Sequence, residues 1–545
     1  MARDERADFT RRSILKLAGA ATATAVVAGC TGNGNGDDDD DTGNGDADDT
    51  GTGNGDDDRE VDEDAEVDEV VITQGSVTDT LDPIDHNDTP TWNILNQAYE
   101  PLIYRDRDGE LIERIATSWE RTDDMVVELE IRDDVTFHNG EEMTAEDVAF
   151  SVNRTNDPDQ SQQAGVIGAI EEASAVDETT IELQLEATEP AIFRNLSAFG
   201  RVQQQEWVEE RDDDELATEI NGTGPYELED FEEGSHVDYT RFDDYWGDEP
   251  RVVEARFNAT ADEGARVSGL EGGDSDIVTD VNPADISDVQ DNEDLRIEGE
   301  PSIRNIFLVM PNDEAPFDSE EFRQAMNYAV NVEAIIESLL NGFGEPTSQP
   351  TLEGMFGHNP DVEPYGHDPD QAEELVEESG HTDEELTIVS PTGRYLGDTD
   401  IAAQAASDID NLENVSASHD EWETQSLFDV TDTGDMSDSP DIFLIGWGNP
   451  TFDAGYALNP WFMSDQPFWH FEDDEIEGIL DEATGEPDED AREELLMEAN
   501  QLANERAAWV FLHQQYSIYG VNDELAWDAR QDEDIRLDEI SAYAE

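Results

Sequence analysis

From Val70 onward, apolar residues recur at two spacings. Strict alternation in Val126-Val127-Glu128-Leu129-Glu130-Ile131-Arg132 and in Thr180-Ile181-Glu182-Leu183-Gln184-Leu185 predicts strands with one buried face. Val70-Val71-Ile72 predicts a short strand running into a turn over Gly75 to Pro83, and Ile442 to Ile445 predicts a continuous apolar strand. Spacings of three and four mark the helices. Thr144 caps one through Val148, Ala149 and Val152, and Ala491 to Ala508 forms another with Leu495, Leu496, Ala499, Leu502 and Ala503 on its buried face. Phe322, Ala325, Met326, Ala329, Ile336 and Leu340 share a third helical face, with Asp318 as N-cap and Gly342 as its end. No short-period repeat occurs. Strands and helices mixed over about 475 residues predict an α/β protein of several domains.

The first 69 residues follow neither pattern. Arg11-Arg12 precede a short apolar run that ends in Val27-Ala28-Gly29-Cys30, the layout of a secretory signal of the twin-arginine type with a lipobox. Cys30, the only cysteine, is therefore the expected lipidation site, and the membrane is reached through a lipid anchor. Leu17 to Ala28 is too short to span a bilayer. Between Thr31 and Glu69 lie 18 acids, one Arg and eight Gly with almost nothing apolar, which predicts a solvated tether (residues 31–69) after the signal (residues 1–30).

Composition narrows the function classes. The chain carries 141 acidic residues against 27 basic ones, a formal charge of -114, and Lys16 is its lone lysine. No basic surplus exists to neutralise phosphates, so nucleic-acid binding through a basic face is excluded. Acid-rich, nearly lysine-free composition resembles the proteins of extreme halophiles. One cysteine rules out an intrachain disulfide or a Cys-rich zinc site, and no two of the nine His stand at ligand spacing on one helix. There is no phosphate loop, zinc-protease helix or nucleophile elbow. Gly222-Thr223-Gly224-Pro225-Tyr226 reads as a turn, because Pro225 interrupts the run of amide donors a phosphate cradle needs. No cofactor and no resident metal are expected, and binding is favoured over catalysis.

Several blocks resemble a known family. Tyr99-Glu100-Pro101-Leu102, Ile115-Ala116-Thr117-Ser118-Trp119-Glu120, Ile131 through Gly140 with its Phe137-His138-Asn139-Gly140, and Thr144-Ala145-Glu146-Asp147-Val148 follow in the order and spacing of family 5 extracellular solute-binding proteins, the peptide- and nickel-binding components of ABC importers. Gly222 to Tyr226, Tyr245-Trp246-Gly247, Phe322 through Val330 and Gly446-Trp447-Gly448 extend the match over essentially all of Val70 to Glu545. The resemblance implies a two-lobed, type II periplasmic-binding-protein-like fold with a hinge and an extra subdomain in the first lobe. Its main subdomain would take residues 70–104, 221–304 and 509–545, its inserted subdomain 105–220, and the second lobe 305–508. It also implies a monomer held at the outer membrane face, taking a small peptide-like solute to ABC permease subunits.

The resemblance places the ligand among three segments. Thr78, Asp79 and Thr80 would offer backbone to an extended ligand. Arg394, beside Tyr395, would meet a ligand carboxylate, a task suited to a guanidinium fork. Trp447 and Gly448 would wall the cleft. Peptide binders commonly carry an Asp three residues after that Trp for the ligand ammonium; Pro450 stands there instead, leaving Asp453 from a shifted loop or a neutral hydrogen bond from Asn449. A sugar or metal chelate would need no such carboxylate. From a different class, an anchored cell-surface hydrolase would need a nucleophile-base pair or metal cluster that the sequence does not display, and a sensory subunit would bind without transport.

From Val70 the body holds 120 acids and 21 arginines, a net charge of -99. Screening length falls from about 10 Å at 0.1 M salt to about 3 Å at 1 M, so repulsion across the surface persists in dilute buffer and nearly vanishes in molar salt. We expect near-UV circular dichroism and ligand binding to be lost together below roughly a few tenths molar salt and recovered toward molar salt. Equal folding and binding at about 10 mM and about 2 M salt would contradict this.

Overall fold

The computed structural model describes residues 59–544 apart from 63–64, 87, 108, 434–435 and 437–438. The signal, Cys30 and residues 31–58 of the expected tether lie outside the described residues. Residues 59–62 and 65–69, read from composition as tether, are instead tied to the body. Arg59 pairs with Asp523 at 2.8 Å and stacks 3.9 Å over Tyr543, and Val61–Asp62 pairs with the strand Ser541–Tyr543. The strand expected at Val70 already begins at Val67 and runs to Gln74.

An eleven-stranded mixed sheet runs through the body. Its order is Val415–Trp422, Glu384–Pro391, Ile442–Gly448, Leu295–Val309, Trp509–Asn522, Ile277–Val278, Val67–Gln74, Val252–Ala259, His236–Arg241 and Tyr226–Glu232, with Gly344–Pro346 added to Trp509–Asn522. The two long members, Leu295–Val309 and Trp509–Asn522, pair antiparallel from Leu295↔Asn522 to Val309↔Trp509. At one end they join Ile442–Gly448, and at the other Ile277–Val278 and the strands beyond.

Apolar burial divides along these two strands. Phe307, Leu308, Val309, Trp509, Val510 and Phe511 belong to one core with Trp461, Phe443 and Ile388. Ile297, Tyr516 and Ile518 pack with Leu270 and Ile286, while Tyr519 and Val521 join Ile72, Phe257 and Ile94. Between these cores the crossing strands turn polar: Ser302, Arg304, Asn305, His513, Gln514 and Gln515 are all buried. Gln514 Nε2 donates to the Ser302 carbonyl at 2.7 Å, and Asn305 Nδ2 to that of Gln349 at 2.9 Å. This polar waist separates the first core from the other two.

A further antiparallel sheet, Ala116–Asp123, Val126–Ile131, Thr180–Leu185 and Ile170–Ala175, buries Val127, Leu129, Ile181 and Leu183 against the helix Ala145–Thr155. That helix opens with a capping box, Thr144 and Asp147 each satisfying the other's backbone. The unit is bolted on through Glu100, a fully buried carboxylate. It accepts from Arg114 Nε at 2.7 Å, Tyr245 Oη at 2.8 Å and Trp246 Nε1 at 2.7 Å, while burial pushes its carboxyl upward.

Two helices differ from expectation. The single run ending at Gly342 is broken: Glu320–Ala329 is capped by Ser319, not Asp318, Val330 takes extended backbone, and Asn331 caps a second helix, Val332–Ser338. The long helix is Glu489–Glu505, capped by Asp488 and stopped before Ala507, whose φ is +48°.

Gly222 and Gly224 form the expected turn because backbone passes too near for any side chain. A Cβ on Gly222 would lie 1.9 Å from the Ala98 carbonyl oxygen, and on Gly224 2.6 Å from that of Gln97. The same turn accepts the His138 amide at Gly222 O (3.0 Å). We expect Gly222→Ala to destabilise the fold by about 1–3 kcal/mol or more, read as a lower denaturant midpoint, because carbonyl backbone must move.

Candidate functional site

The polar waist opens into a cavity. Pairing of the two long strands slips between Pro301 and Asn305, so Ser302 to Arg304 leave the ladder, the way a bulge re-aims side chains. Ile303 and Arg304 thereby line an inner cavity of about 100 Å³, with Gly448 and Pro450 from one lobe and Trp92, Arg201 and Asp534 among the residues from the other. An outer cavity of about 630 Å³ lies between Trp119, Phe193 and Arg194 on one side and Phe356, Phe452 and Arg492 on the other. Arg105 lines both.

Charge along these walls inverts the character of the chain. Seven of its 26 arginines line the two cavities, beside only five of its 141 acids. Four of the seven have carboxylate partners: Arg492 with Asp453 at 2.6 Å, Arg194 with Glu489 at 2.7 Å, Arg304 with Glu533 at 3.1 Å, and Arg536 with Asp538 at 3.2 Å. Arg105, Arg121 and Arg201 have none among the described residues. Arg105 donates to the carbonyls of Gly109 and Thr451 and to Ser197 Oγ, all at 2.8–2.9 Å. Burial pulls the guanidinium groups of both Arg105 and Arg201 down to about 10. Arg304 is 3% exposed, yet its Nε and Nη1 have no acceptor. A buried cation without a counter-charge is costly unless something brings one.

The residues named from the sequence fall in different places. Gly448 lines the inner cavity, where a Cβ would come within 3.2 Å of Arg304 Nη1. Trp447, 6% exposed, packs in the core against Trp461 (5.4 Å) and Phe468 (5.3 Å) and donates to the Tyr456 carbonyl. Asp453 is 1% exposed and binds both Nη atoms of Arg492 while capping the helix Ala454–Phe462. Asn449 closes its own loop by donating to the Asp453 carbonyl (3.0 Å) and accepting from Thr451 Oγ1 (2.9 Å). Thr78 and Thr80 are buried and bond to each other's turn, with Asp79 exposed between them. Tyr395 donates to the Gly446 carbonyl, and beside it Arg394 has buried Nε and Nη2 atoms without acceptors, 5.3 Å from the Phe428 ring centre.

Trp92, Asn96, Arg105, Arg201, Arg304 and Asp534 were not legible in advance. No motif joins them; the scarcity of Arg in so acidic a chain was the available signal. Trp119, from the block Ile115 to Glu120, lines the outer cavity. Among the described residues three Ser–His contacts occur, Ser390 with His419 and Ser439 with His470 at 2.9 Å and the adjacent Ser235 and His236 at 3.2 Å. The second ring nitrogen of His470 meets the Phe468 carbonyl, not a carboxylate, and burial holds this imidazole near 4. Asp230, His236 and Asp238 cluster on a hairpin at metal-ligand separations, but Asp238 is held by Arg256.

Residues 110–468 match the model of the bacterial extracellular solute-binding proteins, family 5. The chain belongs to this family. Members serve as substrate-binding proteins of ABC importers and work outside the cytoplasm; among the described residues no helix is long and apolar enough to cross a membrane. This family 5 protein is 25% identical over 402 residues to a glutathione-binding protein of Pectobacterium atrosepticum, covering 73% of this chain and 77% of that one. Its Escherichia coli K12 counterpart is 24% identical over 412 residues, 73% and 78% of the two chains. In fold it is similar to DppA of Helicobacter pylori in complex with the peptide STSA, with TM-score 0.73, 20% identity and 87% and 98% coverage. CtaP of Listeria monocytogenes gives TM-score 0.79 at 21% identity with 88% and 99% coverage, and NikZ of Campylobacter jejuni with Ni(L-His) gives 0.74 at 20% with 87% and 99%. The expected two-lobed α/β architecture of the family is thus present.

In this family 5 protein the Asp534 carboxyl is pushed up to about 6, first by burial and then by Asp532, against the pull of Arg536, Arg530 and Arg201. A raised carboxyl is ionised at a cost to the fold, so its stabilising contribution is present at low pH and lost as pH rises through about 6. We expect Asp534→Asn to melt above the wild type at pH about 7.5, with the difference shrinking as pH falls below about 6 and gone by about pH 3. Differential scanning calorimetry across that range checks it.

Proposed function

We propose that this protein is a lipid-anchored receptor that holds a peptide-like solute in the interlobe cavities and hands it to an ABC permease. The observation that carries the reading is a pair of buried arginines, Arg105 and Arg201, that have no carboxylate partner among the described residues and line the same inner cavity. A small solute bearing carboxylates supplies the missing charge, and closing the lobes around it desolvates the pairing. The likeness to glutathione-binding proteins and to a peptide-bound DppA supports a peptide-like ligand.

Within that reading Gly448 lies along the ligand path, and Arg394, with its unsatisfied guanidinium, is a second carboxylate partner. Cys30 carries the lipid after twin-arginine export, the protein acts as a monomer, and its acidic surface suits concentrated salt. The lobe boundaries are those given above, with the first lobe's main part extended back to residue 59.

Extraction from native membranes in molar salt, followed by mass spectrometry, tests both parts. We expect an N-terminal peptide beginning at a lipidated Cys30, and a bound short peptide, glutathione included, that survives incubation uncleaved. An unmodified Cys30 overturns the anchor. Turnover of peptides, or failure to bind any of a peptide panel, overturns the receptor reading.

A further inference from the structure

Beside the inner cavity, with Thr89 in both walls, lies a smaller one of about 20 Å³. A single water-sized occupant needs at least about 10–15 Å³. Two oxygen atoms of its wall residues, Gln74 Oε1 and Glu533 Oε1, have no hydrogen-bond partner among the described residues. Gln74 is 1% exposed and Glu533 2%. The other atom of each group is committed. Gln74 Nε2 donates to the Pro90 carbonyl at 2.9 Å, which fixes the amide with its oxygen as the idle atom. Glu533 Oε2 accepts from Thr89 Oγ1 and from Arg304 Nη2, both at 3.1 Å. Ser517 and Tyr519, from the strand Trp509–Asn522, add hydroxyl-bearing side chains to the wall. Asp280 adds a carboxylate that accepts from Thr279 Oγ1 at 2.7 Å. Asp280 and Glu533 stand at φ of 57° and 67°, left-handed backbone that residues with side chains seldom adopt.

Idle, buried acceptors call for an occupant that brings either hydrogens or positive charge. Burial, and after it Glu533 and Asp280, push the Tyr519 hydroxyl upward, which marks the field at this wall as negative. A water would answer the two acceptors and leave that field standing, whereas a cation answers both. One idle carboxylate oxygen among amide and hydroxyl oxygens suits an ion of single charge better than a divalent one, which gathers several carboxylates. We propose that this cavity binds a monovalent metal cation, sodium or potassium, on Gln74 Oε1, Glu533 Oε1 and the hydroxyls of Ser517 and Tyr519. The ion ties together three stretches far apart in the sequence. It stands on the opposite side of the Glu533 carboxylate from Arg304, so the assignment is independent of what the larger cavities hold.

An ion that binds the folded chain and not the unfolded one raises the melting temperature. The protein is melted by calorimetry in sodium, potassium and choline chloride at equal ionic strength, about 2 M, where screening is the same in all three. Melting in sodium or potassium chloride should lie about 3 °C or more above that in choline chloride, and the larger gap identifies the ion. In Gln74→Met, which removes one idle oxygen at similar volume, the gap should close to within about 1 °C, whereas a general effect of choline would survive the substitution. Crystals of the wild type need no variant to fold. There potassium is replaced by rubidium and read by anomalous scattering, and sodium is read from oxygen contacts shorter than the about 2.7–2.8 Å of a water. A water only at this position, equal melting in the three salts, or a gap that persists in Gln74→Met overturns the assignment.

Discussion

Everything in this protein depends on one antiparallel pairing, that of Leu295–Val309 with Trp509–Asn522. These strands are apolar at both ends and polar in the middle, so each end is drawn into a different core while the middle stays outside both. Backbone pairing carries the chain across without a loop. The slip between Pro301 and Asn305 falls in that polar middle. The residues released from this pairing include Arg304, which lines the inner cavity.

The placement of arginine follows from the same geometry. On the outer surface, carboxylates outnumber cations heavily and are solvated; there an ion pair is worth little. Around the cavities, where the arginine side chains are largely buried, each charge must be answered locally. Arg492 and Asp453 answer each other there with two hydrogen bonds. Arg105 and Arg201 are answered by neutral carbonyls, a hydroxyl and an amide, which relieve hydrogen-bonding demand but leave the charge standing. A site that keeps uncompensated charge sacrifices some apo-state stability and gains affinity for what completes it.

The blocks that carry the family resemblance mostly build the frame. Glu100, Tyr245 and Trp246, from two of those blocks, meet in one buried network. His138 of the Phe137-His138-Asn139-Gly140 turn docks on Gly222, whose missing Cβ lets Ala98 approach. Trp447 fills the second lobe's core. Such residues hold the frame together, whereas the arginines that line the cavities come from positions between the blocks.

Sequence alone determined the α/β class, most element positions and the family, because alternation, helical spacing and caps such as Thr144–Asp147 are local physics written in neighbouring residues. It named Gly448, the last residue of the strand Ile442–Gly448, which lines the inner cavity. It did not place Asp453 or Trp447, whose surroundings are set by Arg492, 39 residues on, and by Trp461 and Phe468 in a packed core. Nor did it join Asn96, Arg201 and Asp534, which sit 105 and 333 residues apart along the chain. Hydrogen bonds between such distant residues leave no periodic trace. Only the folded chain, by bringing three loops to one polar waist, decides which charges stand alone and hence what can be bound.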